Sequence, residues 1–369
     1  MSLGMPPAKP GQAVDLRELT SVIDFPARDM TVTVQTGITI QSLRDILAKE
    51  NLRLPIDVAQ ADRATLGGIL AANTSGPGRY GNGTLRDYVI GISAVNDEGN
   101  EFKAGGRVVK NVAGYDLCKL LIGSLGTLGI ITQATLKLRP VPEEQALIAV
   151  ACETAGLESV LTSVHDSRTR PVCVELLNRT AGKDLFQQAD SEAPDAPWLL
   201  LVGYEGNADA VHWQVAQLVK EVGMPRQLIA RVGFTAQPLW NRLIELAASP
   251  SASTTFKANL LPSAVATFCQ SVDQGPKGAA LCAHAGNGIV HGLWTDALTK
   301  EQTANMLTTW RELAQKGQGG VIVPRCPPEW KAMLKVWGPA PGAAWLMREV
   351  KAKFDPQGIF NPGRFVDRI

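Results

Sequence analysis

The sequence predicts an α+β protein of two domains, with a glycine-punctuated N-terminal domain over residues 1–142 and a second α+β domain with an antiparallel sheet over 143–353. Two observations carry this. Glycines cluster at 67, 68, 76, 78, 81 and 83, then at 105, 106, 114, 123, 126 and 129, around the short β-branched runs Val89–Val95 and Leu128–Leu138. After Pro142 the texture changes to strand and helix patterns that alternate without a nucleotide-type glycine fingerprint. Glycine costs chain entropy in regular structure, so its density marks a backbone that turns sharply or approaches something closely. A flat polyanionic ligand lying along main-chain N–H groups is one reason for such loops; tight turns alone are the other.

In chain order, residues 1–13 are rich in proline and glycine and read as irregular. Asp15–Leu19 forms a helical turn leading to Val22–Phe25, and Met30–Gln35 alternates as a half-buried strand. Thr39 is a candidate N-cap for a helix carrying Ile40, Leu43 and Leu47 on one face. Gly67–Ala72 is small and apolar, suited to a helix packed on something flat. Asp116 caps a short helix with Leu117, Leu120 and Leu121 at i, i+3 and i+4, and Ile130–Leu138 returns as a strand. Beyond the boundary, Gln145–Glu153, Val172–Leu177, Trp198–Glu205, Ser253–Leu261 and Ala279–Trp294 read as strands. Leu157–Ser167, Ala208–Val222, Gln237–Ala248 and Leu298–Lys316 carry helical periodicity, and helices are expected on one face of the sheet. In the second of these, Ala210, Trp213, Val215, Leu218 and Val219 form the apolar face. A last helix from Gly342 to Phe354 leads into FDPQGIFNPGR, residues 354–364.

Composition excludes several classes. With 36 basic and 35 acidic side chains the net charge is +1, which gives no general pull toward nucleic acid. No apolar run reaches membrane-spanning length, and MSLGMPPAKPGQ has no apolar signal core. The cysteines at 118, 152, 173, 269, 282 and 326 form no CxxC pair, which argues against iron–sulfur, zinc or disulfide frameworks in this chain. A reducing, cytoplasmic setting fits best.

Six strings carry a family resemblance: Thr65-Leu-Gly-Gly, Arg79-Tyr-Gly, Arg86-Asp-Tyr, Gly105-Gly-Arg-Val-Val-Lys-Asn-Val-Ala-Gly-Tyr-Asp, Gly123-Ser-Leu-Gly-Thr-Leu-Gly and Asn361-Pro-Gly-Arg. Together they resemble the FAD-binding subunits of bacterial glycolate oxidases, within the PCMH-type (vanillyl-alcohol-oxidase-type) flavoproteins. The likeness runs from about Asp15 to Pro142, thins through the second domain and returns at Phe354–Arg364. It implies a PCMH-type FAD-binding domain over 1–142, an α+β cap over 143–353, and a segment at 354–369 returning to the FAD domain. It also implies flavin contacts at Pro55, Thr65, Gly67, Gly68, Ala72, Asn73, Ser75, Gly76, Gly123, Gly126, Thr127, Gly129 and Ile131. Glycines there would let main-chain N–H groups reach the cofactor, Ala71 and Ala72 would let a helix face approach the ring, and Asn73, Ser75 and Thr127 offer hydrogen bonds.

The sequence departs from the family pattern at three places. The family sets a glycine-rich pyrophosphate loop before the region matching Asp15, and this sequence starts almost there, giving an N-terminally short first lobe. Either the reading frame begins upstream, or FAD is held weakly by an incomplete cradle, and in both cases noncovalently. Each lost hydrogen bond to the diphosphate would cost on the order of 1–3 kcal/mol. Leu125 stands where catalytic relatives, the D-2-hydroxyacid dehydrogenases, have an acid. Ala283-His-Ala-Gly-Asn-Gly-Ile-Val-His291 resembles their metal-binding histidine pair, yet Gly319-Gly-Val-Ile-Val-Pro replaces their Glu-His-Gly element. On a regular strand His284 and His291 would fall on opposite faces unless Gly286 and Gly288 bend it, so they are weak catalytic candidates and no metal is expected.

The leading functional expectation is an FAD-binding redox subunit that supports glycolate (2-hydroxy acid) oxidation, beside a catalytic flavoprotein subunit and an iron–sulfur subunit. Such a complex would be cytoplasmic or held at the inner membrane through partners. A stand-alone FAD-dependent D-2-hydroxyacid dehydrogenase using His284 or His291, and a flavin-free subunit of the complex, are the alternatives. Arg107 and Lys110 fit either an anion contact or a solvated turn, and Tyr115 either ring packing or core. The tryptophans at 198, 213, 240, 294, 310, 330, 337 and 345 read mostly as cap core.

Overall fold

A computed structural model describes residues 3–106, 116–223, 227–275, 278–296 and 298–369. Two compact units emerge. An N-terminal unit comprises Gly4–Gly76, Gly83–Val141 and Pro339–Ile369, and a central unit comprises Pro77–Asn82 and Pro142–Gly338. The helix Ala344–Phe354 thus belongs to the N-terminal unit, and the segment Pro77–Asn82 to the central one.

The N-terminal unit is built on strands β1 (Val22–Asp24), β2 (Thr31–Gln35), β4 (Val89–Val95), β5 (Glu101–Gly105) and β6 (Ile130–Lys137), with β3 (Leu52–Arg53) and β7 (Arg139–Pro140) forming a separate two-stranded pair. The main sheet is antiparallel throughout, in the order β1-β2-β6-β4-β5. β2 is central enough to bury Val32 and Val34 completely. Thr39 caps the helix Ile40–Ala48 as the sequence implied, its hydroxyl accepting from the Ser42 N–H, and Ile40, Leu43 and Leu47 face the core. The helix Leu66–Ala72 adds Leu66, Ile69 and Leu70 to the same core. Each such side chain stabilises by about 1.5–3 kcal/mol. The C-terminal helix joins through Phe354, whose ring lies 6.3 Å from that of Phe102.

The central unit carries β8 (Glu144–Cys152), β9 (Cys173–Asn178), β10 (Trp198–Gly206), β11 (Leu228–Val232), β12 (Thr254–Asn259), β13 (Ala280–His284), β14 (Ile289–Trp294) and β15 (Gly320–Arg325). They form one antiparallel sheet in the order β11-β8-β10-β9-β13-β14-β12-β15. Helices cover both faces, not one. Leu147, Ala149, Leu199 and Leu201 pack on Ala181, Leu185, Leu239 and Leu243 of the helices Arg179–Gln188 and Gln237–Leu246. On the other face, the Tyr204 hydroxyl bonds Thr169, next to the Arg170 N–H that donates to Gln214 of the helix Ala208–Glu221.

That last bond explains a second difference. The helix buries Val211, Gln214 and Leu218 and leaves Trp213 (53% exposed) and Val219 outside, so its inward face is rotated from the one the apolar pattern implied. The run Ala279–Trp294 is a hairpin, not one strand: a 3-10 turn at Ala285–Asn287 ends in left-handed Gly288, and β14 folds back on β13. Trp198, Trp240, Trp294 and Trp310 are core.

Phe256 is the centre of an aromatic cluster, 4.8 Å from the Trp310 ring, 5.6 Å from Trp294 and 6.2 Å from Phe268. Phe256→Ala is expected to cost about 3–5 kcal/mol, whereas truncating Trp345, which is 63% exposed, should stay within about 0.5 kcal/mol. Urea-denaturation midpoints of the two variants check this.

Candidate functional site

In the N-terminal unit the helix that carries Gly67 and Gly68 meets the turn that carries Gly123 and Gly126. A helix end leaves its last carbonyls without intrahelical partners. In Leu66–Ala72 those carbonyls are taken by neighbours: Ile69 O accepts from the Thr74 N–H, Leu70 O from Gly123 and Ala71 O from Leu125, at 3.0, 2.9 and 2.9 Å. Asn73 closes the helix in the left-handed conformation (φ 50°), which its short polar side chain tolerates. Ser124–Thr127 then makes a tight turn whose central residues, Leu125 and Gly126, have φ of 54° and 67°. Both central residues with positive φ define a type I′ turn.

Of the residues expected here, Ala72, Asn73, Ser75, Gly76, Gly123 and Gly126 lie half-exposed around this junction. Thr65 is the helix N-cap, accepting from the Gly68 N–H, and the Gly67 N–H donates to Thr36 O at 2.7 Å. The N–H groups of Gly67, Gly68 and Gly123 are therefore engaged within the protein. Pro55, Thr127, Gly129 and Ile131 are buried, Ile131 in the core with its carbonyl accepting from Thr36 Oγ1. Two buried polar atoms at the junction, Asn73 Oδ1 and Ser124 Oγ, have no partner among the described residues. Arg107, Lys110 and Tyr115 lie outside the described residues. Cys118 packs as a small core residue, burial pushing its thiol up to about 11.

In the central unit the β13–β14 hairpin brings the two histidines together, the chain bending at Gly286 and Gly288 where the sequence allowed it. Their ring centroids are 5.3 Å apart at 71°. Strand pairing fixes this: His291 sits opposite Cys282, two residues from His284 on the same face. β9 adds Glu175 opposite His284, and β12 adds Lys257 opposite His291. His284 Nδ1 lies 2.5 Å from Glu175 Oε1, both side chains buried, and the Cys282 thiol bonds the other carboxyl oxygen at 3.4 Å. At Gly286 the Tyr80 ring comes so close that a Cβ would lie 2.2 Å from it, so the segment carrying Arg79 is locked onto the hairpin.

Burial, then the charges of His284, Lys257 and Arg79, holds the His291 pKa well below its ordinary value, so the ring is neutral at pH 7. Burial and then Arg79 lower the Lys257 pKa, and no carboxylate pairs with Lys257 among the described residues. A divalent cation does not suit this set. Two basic side chains act on His291, Glu175 is engaged by His284, and no three ligating groups converge among the described residues.

Sequence reasoning did not single out Glu175 and Lys257, which strand pairing sets opposite His284 and His291. Each is the one charge in a strand, CVELLN and TTFKAN, that otherwise reads as core or alternation.

Comparison with known proteins matches two regions of the chain. Residues 2–105 match the FAD binding domain family, and residues 141–322 with 333–365 match the C-terminal domain of FAD linked oxidases. The chain is 27% identical over 392 residues to "Glycolate oxidase subunit GlcD" of Bacillus subtilis (strain 168), covering 98% of this chain and 80% of that protein. It is 29% identical over 201 residues to "Glycolate oxidase subunit GlcE" of Escherichia coli (strain K12), over 54% of this chain and 53% of that one. A solved alkyldihydroxyacetonephosphate synthase shares the fold, with a TM-score of 0.64 and 18% identity over 96% of this chain and 69% of that chain. No helix among the described residues is long and apolar enough to cross a membrane. The C-terminal-domain match alone spans more than half of the sequence, and the chain belongs to the FAD-linked oxidases, as an oxidoreductase whose cofactor is FAD.

Proposed function

We propose that the chain oxidises a short 2-hydroxy acid, glycolate in the first instance, as a subunit of a glycolate-oxidase-type assembly containing a second flavoprotein subunit and an iron–sulfur subunit. The observation that carries this reading is geometric: the His291 ring lies 5.3 Å from that of the Glu175-anchored His284, with Lys257 opposite it on the neighbouring strand and the charge of Arg79 acting on it. A 2-hydroxy acid asks for those two functions together: positive charge for its carboxylate and an uncharged base for its hydroxyl proton. Lys257 and Arg79 attract the carboxylate, a charge-assisted contact worth about 1.5–3 kcal/mol. His291 accepts the hydroxyl proton, and the Glu175 contact at Nδ1 fixes the ring of His284 beside it. FAD, when bound, supplies the two-electron acceptor.

The flavin is read as noncovalent, on the set Pro55, Thr65, Gly67, Gly68, Ala72, Asn73, Ser75, Gly76, Gly123, Gly126, Thr127, Gly129 and Ile131. The unpartnered Asn73 Oδ1 and Ser124 Oγ support the fit, because a buried polar atom without a partner costs about 1–3 kcal/mol and a flavin nucleotide offers hydrogen bonds to both. Half-exposed Ala71 and Ala72 offer a flat apolar face. An autonomous D-2-hydroxyacid dehydrogenase is the second reading, favoured by an acid–base cluster complete on one chain. Anaerobic glycolate added to the purified chain separates the two: bleaching of the visible flavin bands without partners selects the autonomous enzyme, and bleaching only in the assembly selects the subunit.

Ala72→Trp should leave the deflavinated protein folded and cut bound FAD about tenfold or more, read as the flavin-to-protein absorbance ratio of purified protein. Lys257→Ala should raise KM about tenfold with a smaller effect on kcat, and His291→Asn should lower kcat about 100-fold or more, both by steady-state assay with an artificial acceptor.

The depressed His291 pKa also sets a pH dependence. The unfolded chain takes up a proton near pH 6.5 that the folded state refuses, so stability is whole above about pH 6.5 and declines as pH falls below it. The slope from this one group is at most about 1.4 kcal/mol per pH unit. Between about pH 6.5 and 5.5 the urea midpoint of the protein should fall further than that of His291→Asn.

A further inference from the structure

The terminal FNPGR string has no role in the mechanism above, yet it is wired into the turn that joins the two glycine clusters. Asn361 Nδ2 donates to the carbonyls of Leu125 and Gly126 at 2.8 and 3.3 Å. Lys351 Nζ donates to the next carbonyl, Thr127 O, at 2.7 Å, and to Phe360 O at 2.9 Å. Three successive carbonyls of one turn are thus held by two side chains from the C-terminal segment. Asp355, 2% exposed, ties the segment together: it pairs with Lys351 and accepts the Ile359 and Phe360 N–H groups at 2.9 Å each. A Cβ at Gly126, whose φ is 67°, would lie 2.9 Å from Asn361 Nδ2.

This wiring bears on a strained residue. Leu125 has φ of 54°, a left-handed conformation that a leucine side chain disfavours and that usually falls to glycine or asparagine. Its N–H is anchored to Ala71 O and its carbonyl to Asn361, so both of its peptide groups are fixed from outside the turn. A trans peptide points its C=O and the following N–H in opposite directions. With Leu125 O drawn to Asn361, the Gly126 N–H faces away from the C-terminal segment, and it has no partner among the described residues.

We propose that Asn361, with Lys351 and Asp355 behind it, is a positioning residue for the flavin: it holds the strained Leu125–Gly126 turn in the conformation that presents the Gly126 N–H to the cofactor. This rests on the flavin cradle proposed above. The test uses the full chain, deflavinated and titrated with FAD. Asn361→Ala should weaken FAD binding about tenfold or more and change the visible circular dichroism of the bound flavin. Adding Leu125→Gly to that variant should restore most of the affinity, because glycine adopts the left-handed turn without support. A merely structural loss would instead leave the double variant weaker than the single one. Asn361→Ser, which keeps one donor, should lie between the wild type and Asn361→Ala, and serves if the alanine variant does not accumulate. Wild-type affinity and dichroism in Asn361→Ala, or no recovery in the double variant, overturns the proposal. If Ala72→Trp still loses its flavin in that event, the cradle stands without the clasp. Should Ala72→Trp also keep wild-type affinity, the cradle falls and the clasp with it.

Discussion

The N-terminal unit depends on how one short helix ends. Leu66–Ala72 is too short to be stable alone, and its last carbonyls need donors. They find them in Thr74, Gly123 and Leu125, some 50 residues apart in sequence, and this is what turns two separate glycine clusters into one surface. The arrangement fixes the approach of the helix to the turn, and so the width of any slot between Ala71 or Ala72 and Gly126. At the other end of the helix a Cβ at Gly67 would crowd Thr36 at 3.1 Å, inside ordinary van der Waals contact.

Most of the architecture was legible because periodicity and capping agree with it. Thr39 and the β-branched strands β2, β4 and β6 each follow local rules, and the structure uses them as those rules require. The failures have a common cause in tertiary partners that sequence does not display. The face of Ala208–Glu221 turns on one bond from Arg170 N–H to Gln214, and a hairpin hid inside the run 279–294 because both of its arms are apolar.

The site was legible to different degrees in the two units. The glycine clusters announced a main-chain surface, although several of the N–H groups that seemed available prove to be spent on helix capping and packing, those of Gly67, Gly68 and Gly123 among them. The histidine pair was visible as a motif, but its geometry was not, since a spacing of seven says nothing about a turn between two strands. Glu175 and Lys257 gave only the weak signal of a lone charge in an apolar strand. Which face each lone charge takes is decided by register, and register is a property of the whole sheet.

That cluster is a liability for folding, and the same strands that carry it also carry the compensation. Burying Glu175 and His284 and half-burying His291 and Lys257 on one face of β9, β13, β14 and β12 costs desolvation, against which stand the Glu175–His284 and Cys282–Glu175 contacts. On the opposite face of β12 and β14, Phe256 and Trp294 sit one and three residues from Lys257 and His291, and with Trp310 and Phe268 they form the largest aromatic cluster of the unit. Alternation along a strand makes the two faces independent in chemistry but shared in stability. A sheet so firmly packed on one side can hold a neutral histidine among cations on the other. Under the proposed function these groups serve chemistry on that face rather than the fold.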